Sequence, residues 1–139
     1  MVASDEMFSV SFSFRRPANL GVKDGRLAPC KRTPNCVSSQ ADPADREHYI
    51  APLAFRGSMQ DLRRAVESME RARLISAERN YLYAEFRTKL MRYVDDVELY
   101  YDEKQGVVHV RSASRLGRRD FGVNRKRVEA LRALIQARR

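Results

Sequence analysis

The chain predicts an α+β domain, with an antiparallel sheet of about four strands and two helices packed on one face, in the order β-α-β-β-β-α. Apolar residues recur at three- and four-residue steps in two separated segments, near residues 58–72 and 123–137, which marks two amphipathic helices. Between them lie stretches with two-residue alternation, rich in Tyr, Val and Phe, which mark strands. Strands grouped between helices, instead of alternating with them, favour an antiparallel sheet with both helices on one side.

Residues 1–26 read as an irregular arm ahead of a single domain over 27–139. The stretch "FSVSFSF" alternates Ser with Phe or Val before Arg15, Arg16 and Pro17, and is compatible with a short strand, an ordered arm or a flexible tail. Residues 27–49 hold Pro29, Pro34 and Pro43 among many Ser, Thr, Asn and Asp, so they read as an irregular Cys/Pro loop. A loop this long in a small domain is usually functional or held by specific contacts. "YIAPLAFRG" reads as a first or edge strand, because Pro52 removes a ladder donor. Ser58 and Asp61 have the spacing of a capping box, and Leu62, Ala65, Val66 and Met69 give the helix that follows an apolar face to about Ala72.

Three strands are expected next. "ERNYLYAEFRT" puts Leu82, Ala84 and Phe86 on one side and Tyr81, Tyr83 and Glu85 on the other. "RYVDDVELYY" and "GVVHVRSASR" flank "DEKQ", which reads as a four-residue hairpin turn. Val128, Leu131, Leu134 and Ile135 then define a final helix from Val123 to about Ala137, with Asp120 or Asn124 at its cap.

At 139 residues the chain has the length of one domain. Hydrophobic content of 43% with 32% charged residues is that of a soluble globular protein, and no apolar run reaches the roughly 18 residues of a membrane span. A net charge of +9, from 27 Lys and Arg against 18 Asp and Glu, attracts nucleic acid, anionic lipid or acidic partners. The excess is spread over several segments, so it reads first as solvated faces. A phosphate loop, a dinucleotide fingerprint and a GxSxG elbow are all missing, and no cofactor is expected.

Cys30 and Cys36 permit at most one bridge. The N-terminal residues lack the basic start, apolar core and small-residue cleavage site of a secretory signal, so reduced thiols and a cytoplasmic setting are the expectation. Five residues separate the cysteines and only His48 and His109 could join them, so no metal site is expected. Cys36 with His48 as base and Asp95 as orienter completes the residue list of a thiol enzyme, a list that many domains satisfy by chance.

The aliphatic residues set the hairpin register. With Tyr101 opposite Gly106, Leu99 faces Val108 and Val97 faces Val110, while Glu98 meets His109 and Asp96 meets Arg111 on the other face. Asp95 then lies opposite Ser112 at the edge of the core, where a carboxylate needs donors. Asp95 and Asp96, adjacent on a strand, point to opposite faces and cannot flank one glycosidic bond. Beyond the hairpin, Ser112, Ser114 and Arg115 end the strand, "LGRRDFG" turns on two glycines, and Asn124 and Arg125 begin the helix. Strand end, glycine turn and helix start together have the makings of an anion pocket.

"CKRTPNCVSSQ", "RYVDDVELYYD" and "VHVRSASRLGRRDFGVNRKRVEALR", with the spacing between them, resemble the domain of unknown function 1499 family, from about Asn19 to Arg138. The family comprises bacterial and chloroplast proteins without an established activity. The resemblance implies that the cysteine loop, the acidic pair and the Arg/Ser run belong to one shared pattern, and it assigns none of them a catalytic role. In the family the first cysteine is usually followed by Pro, where this chain has Lys31. Similar proteins often carry an export or lumen-targeting segment, so the resemblance implies an exported or lumenal setting for some relatives, while the expectation for this chain as written stays cytoplasmic.

The resulting expectation is an uncharacterised, non-catalytic binding module for a small anionic ligand or a partner protein. Its site is Asp95, Arg111, Ser112, Ser114, Arg115, Asn124 and Arg125, with Cys30, Asn35, Cys36, Ser38 and Ser39 in the loop over it. Shared use of these residues requires Arg115 and Arg125 to reach one cavity. The alternatives are the thiol enzyme and a nucleic-acid binder that stacks bases on Tyr81, Tyr83 and Tyr100 among Arg79, Arg87 and Arg111.

Overall fold

The computed structural model describes residues 15–90 and 93–137. Its elements are β1 (Cys36–Ser38), β2 (Leu53–Ala54), α1 (Met59–Glu67), β3 (Ala72–Glu78), β4 (Tyr81–Arg87), β5 (Val94–Asp102), β6 (Val107–Ser114) and α2 (Val123–Ala137). The strands form one antiparallel sheet in the order β1-β6-β5-β4-β3, and β2 pairs with β6 as well. The α+β class holds, with six strands instead of about four. The additional strands are β1, three residues inside the expected loop, and β3. The "FSVSFSF" stretch and Arg92, the first residue of the expected hairpin strand, lie outside the described residues.

At the start of α1, the Ser58 hydroxyl accepts from the Asp61 amide at 3.1 Å, and the Asp61 carboxylate accepts from the Ser58 amide at 3.5 Å. The helix ends at Glu67, short of the expected Ala72, because Arg71 adopts φ 60 and turns the chain into β3. The single strand expected from Glu78 to Thr88 is instead the end of β3, a turn on Asn80 at φ 64, and β4. Neither turn contains Gly or Pro, so the usual punctuation is missing from the sequence. A register shift between Leu74 and Ser76 further blurs the alternation of β3.

The β5–β6 turn spans residues 103–106, one residue later than expected. Gly106 belongs to the turn, at φ 66 with its amide donating to the Asp102 carbonyl, and Asp102 pairs with Val107. The register therefore moves by two: Leu99 faces Val110, Val97 faces Ser112, Glu98 faces Arg111, Asp96 faces Ala113 and Asp95 faces Ser114. An even shift changes partners and preserves faces. Both helices pack on the face carrying Val97, Leu99, Val108 and Val110. Leu53, Leu62, Val108 and Val110 are fully buried there, each contributing about 1.5–3 kcal/mol. On the opposite face Leu20, Val22 and Leu27 pack against Tyr81, Tyr83 and Tyr100.

Candidate functional site

Strand parity divides the polar residues into two networks. Asp95 leaves β5 toward the helices, where its Oδ2 accepts from Arg127 Nη2 at 2.8 Å. Arg127 Nη1 donates to Ser112 Oγ at 3.1 Å and Asn124 Oδ1 at 2.8 Å, and Ser112 Oγ donates to that same Oδ1 at 2.6 Å. Asn124 Nδ2 donates to Ser114 Oγ, the Asn35 carbonyl and Asp120 Oδ2. Asp95, Ser112, Ser114 and Asn124 thus form one group, joined through Arg127, whose guanidinium also lies 4.8 Å from the Phe86 ring centroid. Burial holds the Asp95 carboxyl above its ordinary range, outweighing the pull of Arg127.

Asp96 leaves the strand on the other face. Its two oxygens accept from Arg115 Nε at 2.9 Å and Nη2 at 2.8 Å, and Oδ1 also accepts from the Tyr83 hydroxyl. Arg115 Nη2 and Arg16 Nε each donate to Glu85 Oε2 at 2.7 Å. Glu98 Oε2 accepts from the Tyr81 hydroxyl and the Gly21 amide, and its Oε1 faces Arg111 Nη1 at 3.9 Å. Burial would raise the Glu85 carboxyl, yet Arg16 and Arg115 hold it below its usual range. Burial, followed by the bonded carboxylates Asp96 and Glu98, pushes both Tyr83 and Tyr81 up. The positive charge of Arg115 is thus matched by carboxylates.

Arg111 differs from Arg115. It is buried, yet its Nε has no hydrogen-bond partner among the described residues. Its remaining contacts are long: the Pro29 carbonyl at 3.4 Å and Glu98 at 3.9 Å. Burial lowers its pKa below the ordinary guanidinium value despite the nearby acids. Pro29 and Ser38, the residue paired with Arg111 across β1 and β6, line a cavity of about 430 Å³ together with Arg26, Cys30, Lys31, Arg32 and His48. The Ser38 hydroxyl accepts from the Gln40 amide. His48 bonds Asp45 Oδ2 through Nδ1 at 2.8 Å and the Thr33 carbonyl through Nε2 at 2.9 Å. Burial disfavours the imidazolium, but two acceptors on two ring nitrogens outweigh it and raise the pKa above 6.5.

Cys30 and Cys36 are joined in a disulfide, contrary to the expectation of free thiols. The thiol-enzyme reading accordingly lacks its nucleophile in this state, and both ring nitrogens of its proposed base are engaged. Asn35 anchors the loop by donating to the Leu116 and Gly117 carbonyls, and Ser39 accepts from the Val110 amide and bonds His109 Nδ1 at 3.1 Å. Arg125 reaches the Arg46 and Glu47 carbonyls. The sheet therefore separates the expected residues: Asp95, Ser112, Ser114 and Asn124 on the helix side, Arg111 and Arg115 on the other, and Arg125 against the loop. Tyr81 and Tyr83 are buried beneath residues 20–27, so they offer no stacking surface.

Arg127, Glu85 and the cations of the cysteine loop were not singled out from sequence, and Asp120 was named only as a cap of the final helix, where its carboxylate accepts from the Gly122 and Asn124 amides. Arg127 had a signal, since it lies three residues after Asn124 on the same helix face. Glu85 had one as well, on the polar side of its strand. Arg26, Lys31 and Arg32 had none beyond their charge, because an irregular loop has no periodicity. Among the described residues, no group of three or more His, Cys, Asp or Glu is placed to hold a metal ion, and no helix is long and apolar enough to cross a membrane. A comparison with protein families matches residues 26–135 to "Protein of unknown function (DUF1499)". No curated protein and no solved structure matches the chain.

Proposed function

We propose that this chain, which belongs to the DUF1499 family, is a non-catalytic binding module for a small anionic ligand held in the cavity beside the Cys30–Cys36 loop. The carrying observation is the convergence of Arg26, Lys31 and Arg32, with His48 beside them, on one cavity, against Asp42 and Asp45. Asp45 is already bonded to His48, and neither Lys31 nor Arg32 has an ion-pair partner among the described residues. The Ser38 hydroxyl, which accepts from Gln40, keeps its own proton to donate. Behind this wall, the incompletely bonded Arg111 adds positive potential in a poorly hydrated place. A volume of about 430 Å³ falls within the range of small-molecule sites. Of the residues anticipated from sequence, this reading retains Arg111, Cys30, Cys36 and Ser38. Ser112, Ser114 and Asn124 then act as the brace between sheet and helix.

The test is thermal unfolding in inorganic phosphate against sodium chloride at equal ionic strength. Phosphate should raise the midpoint of the wild-type protein, because a ligand that binds only the native state stabilises it. The exposed double variant Lys31→Ala/Arg32→Ala should unfold at the wild-type temperature in chloride and lose the phosphate response. Equal responses in both proteins, or no response to phosphate, sulfate and citrate, would overturn the reading.

A further inference from the structure

We infer that one end of the sheet docks onto an anionic lipid surface, independently of the cavity described above. β4 ends at Arg87, β5 begins at Val94, β6 ends at Ser114 and α2 begins at Val123, so the β4–β5 and β6–α2 connections emerge at the same end. Pairing of Asp95 with Ser114, and the bond from the Arg115 amide to the Val94 carbonyl, hold these connections side by side. The large apolar side chains exposed among the described residues are Leu90 at 87%, Tyr93 at 40%, Phe121 at 85% and Val123 at 37%, and all lie at this end. Around them Arg71, Arg87, Lys89, Arg118, Arg119 and Lys126 are exposed, while among the described residues beside them Glu70 is an exposed acid and Asp120 is half-buried and bonded within its turn.

Phe121 makes the arrangement specific. It adopts φ 53, a left-handed conformation that is costly for a bulky residue, and its ring is left in solvent. The turn is fixed from beside it, since the Asp120 carboxylate accepts from the Gly122 and Asn124 amides. The strain therefore presents the ring and does not bury it. Apolar side chains on projecting loop tips, ringed by cations, match an interface where rings and aliphatic chains enter the headgroup layer and guanidiniums meet phosphates. Nucleic acid would use the same cations but would give Leu90 and Val123 nothing apolar to enter.

The chain contains no Trp, so Phe121→Trp creates a unique emission probe, with Gln105→Trp in the turn at the opposite end as its counterpart. Vesicles of phosphatidylcholine containing about one part in three phosphatidylserine should shift the Phe121→Trp emission to shorter wavelength and leave Gln105→Trp unchanged. Phosphatidylcholine alone should shift neither. Each cation near an anionic surface strengthens partitioning about fivefold, so Arg118→Gln/Arg119→Gln should weaken vesicle binding about 25-fold. Absence of binding, equal shifts at both probes, or binding that polyuridylate abolishes with no shift at residue 121, would overturn the inference.

Discussion

Replacing Arg115 by Met tests the charge network that closes the sheet's second face. Arg115 donates to both oxygens of Asp96 and to Glu85, and Asp96 is 2% exposed. Methionine preserves much of the side-chain stem but leaves Asp96 with the Tyr83 hydroxyl as its remaining described partner. Removing one member of a buried ion pair costs about 3–5 kcal/mol, because the other charge stays desolvated. For a chain of this size the melting midpoint should fall by about 10–20 °C. Glu85 keeps Arg16, so Asp96 carries most of the loss. The companion variant Arg115→Met/Asp96→Leu removes the stranded charge and should recover much of the stability, since apolar replacements of buried pairs are often neutral. Both are read by denaturant and thermal unfolding. A cost for Arg115→Met below about 1 kcal/mol, the level of a surface pair, or additive losses in the double variant, would refute the reasoning.

The two histidines should titrate on opposite sides of the free imidazole value of 6.5. His48 is raised, so its stabilising contribution is complete below 6.5 and is lost as pH rises through its folded pKa; burial lowers His109, whose contribution is lost as pH falls below 6.5. Proton NMR of the imidazole resonances should show both, and Asp45→Asn should lower only the His48 value. Reduction of the Cys30–Cys36 bridge, closing a loop with a sequence separation of 6, should destabilise the fold by about 2 kcal/mol on the chain-entropy account, with a two-proton mass increase. Phe121→Gly should stabilise by about 1 kcal/mol in urea unfolding, because Gly occupies φ 53 without the side-chain penalty.

Elements whose chemistry repeats were legible in the sequence. The capping box at Ser58 and Asp61, the apolar face of α2 and the two sides of β4 all follow from spacing, and each is present. Face assignments in the hairpin also survive, because its register differs by an even number. What spacing does not encode is a turn made by ordinary residues. Arg71 and Asn80 take left-handed conformations without being Gly, so the boundary between α1 and β3 and that between β3 and β4 carry no punctuation. β1 was hidden for a different reason: three residues are too few to show alternation, and their pairing with β6 is a long-range event.

The run from Arg111 to Arg125 shows how one dense stretch of charge and hydroxyls resolves into separate tasks. On a strand, alternate residues part company, so Ser112 and Ser114 meet Asn124 and Arg127 under the helix while Arg111 and Arg115 meet acids under residues 16–29. Reading the run as one pocket merges faces that the sheet keeps apart. The two guanidiniums on the same face then differ by what surrounds them. Arg115 is enclosed by Asp96 and Glu85 at hydrogen-bond distance, whereas Arg111 has a distant acid, a stretched carbonyl contact and an unbonded Nε. A saturated cation holds the fold, while an unsaturated buried one raises the potential of the cavity it underlies. That contrast is what the proposed anion site at the cysteine loop rests on, with the strand end as its support.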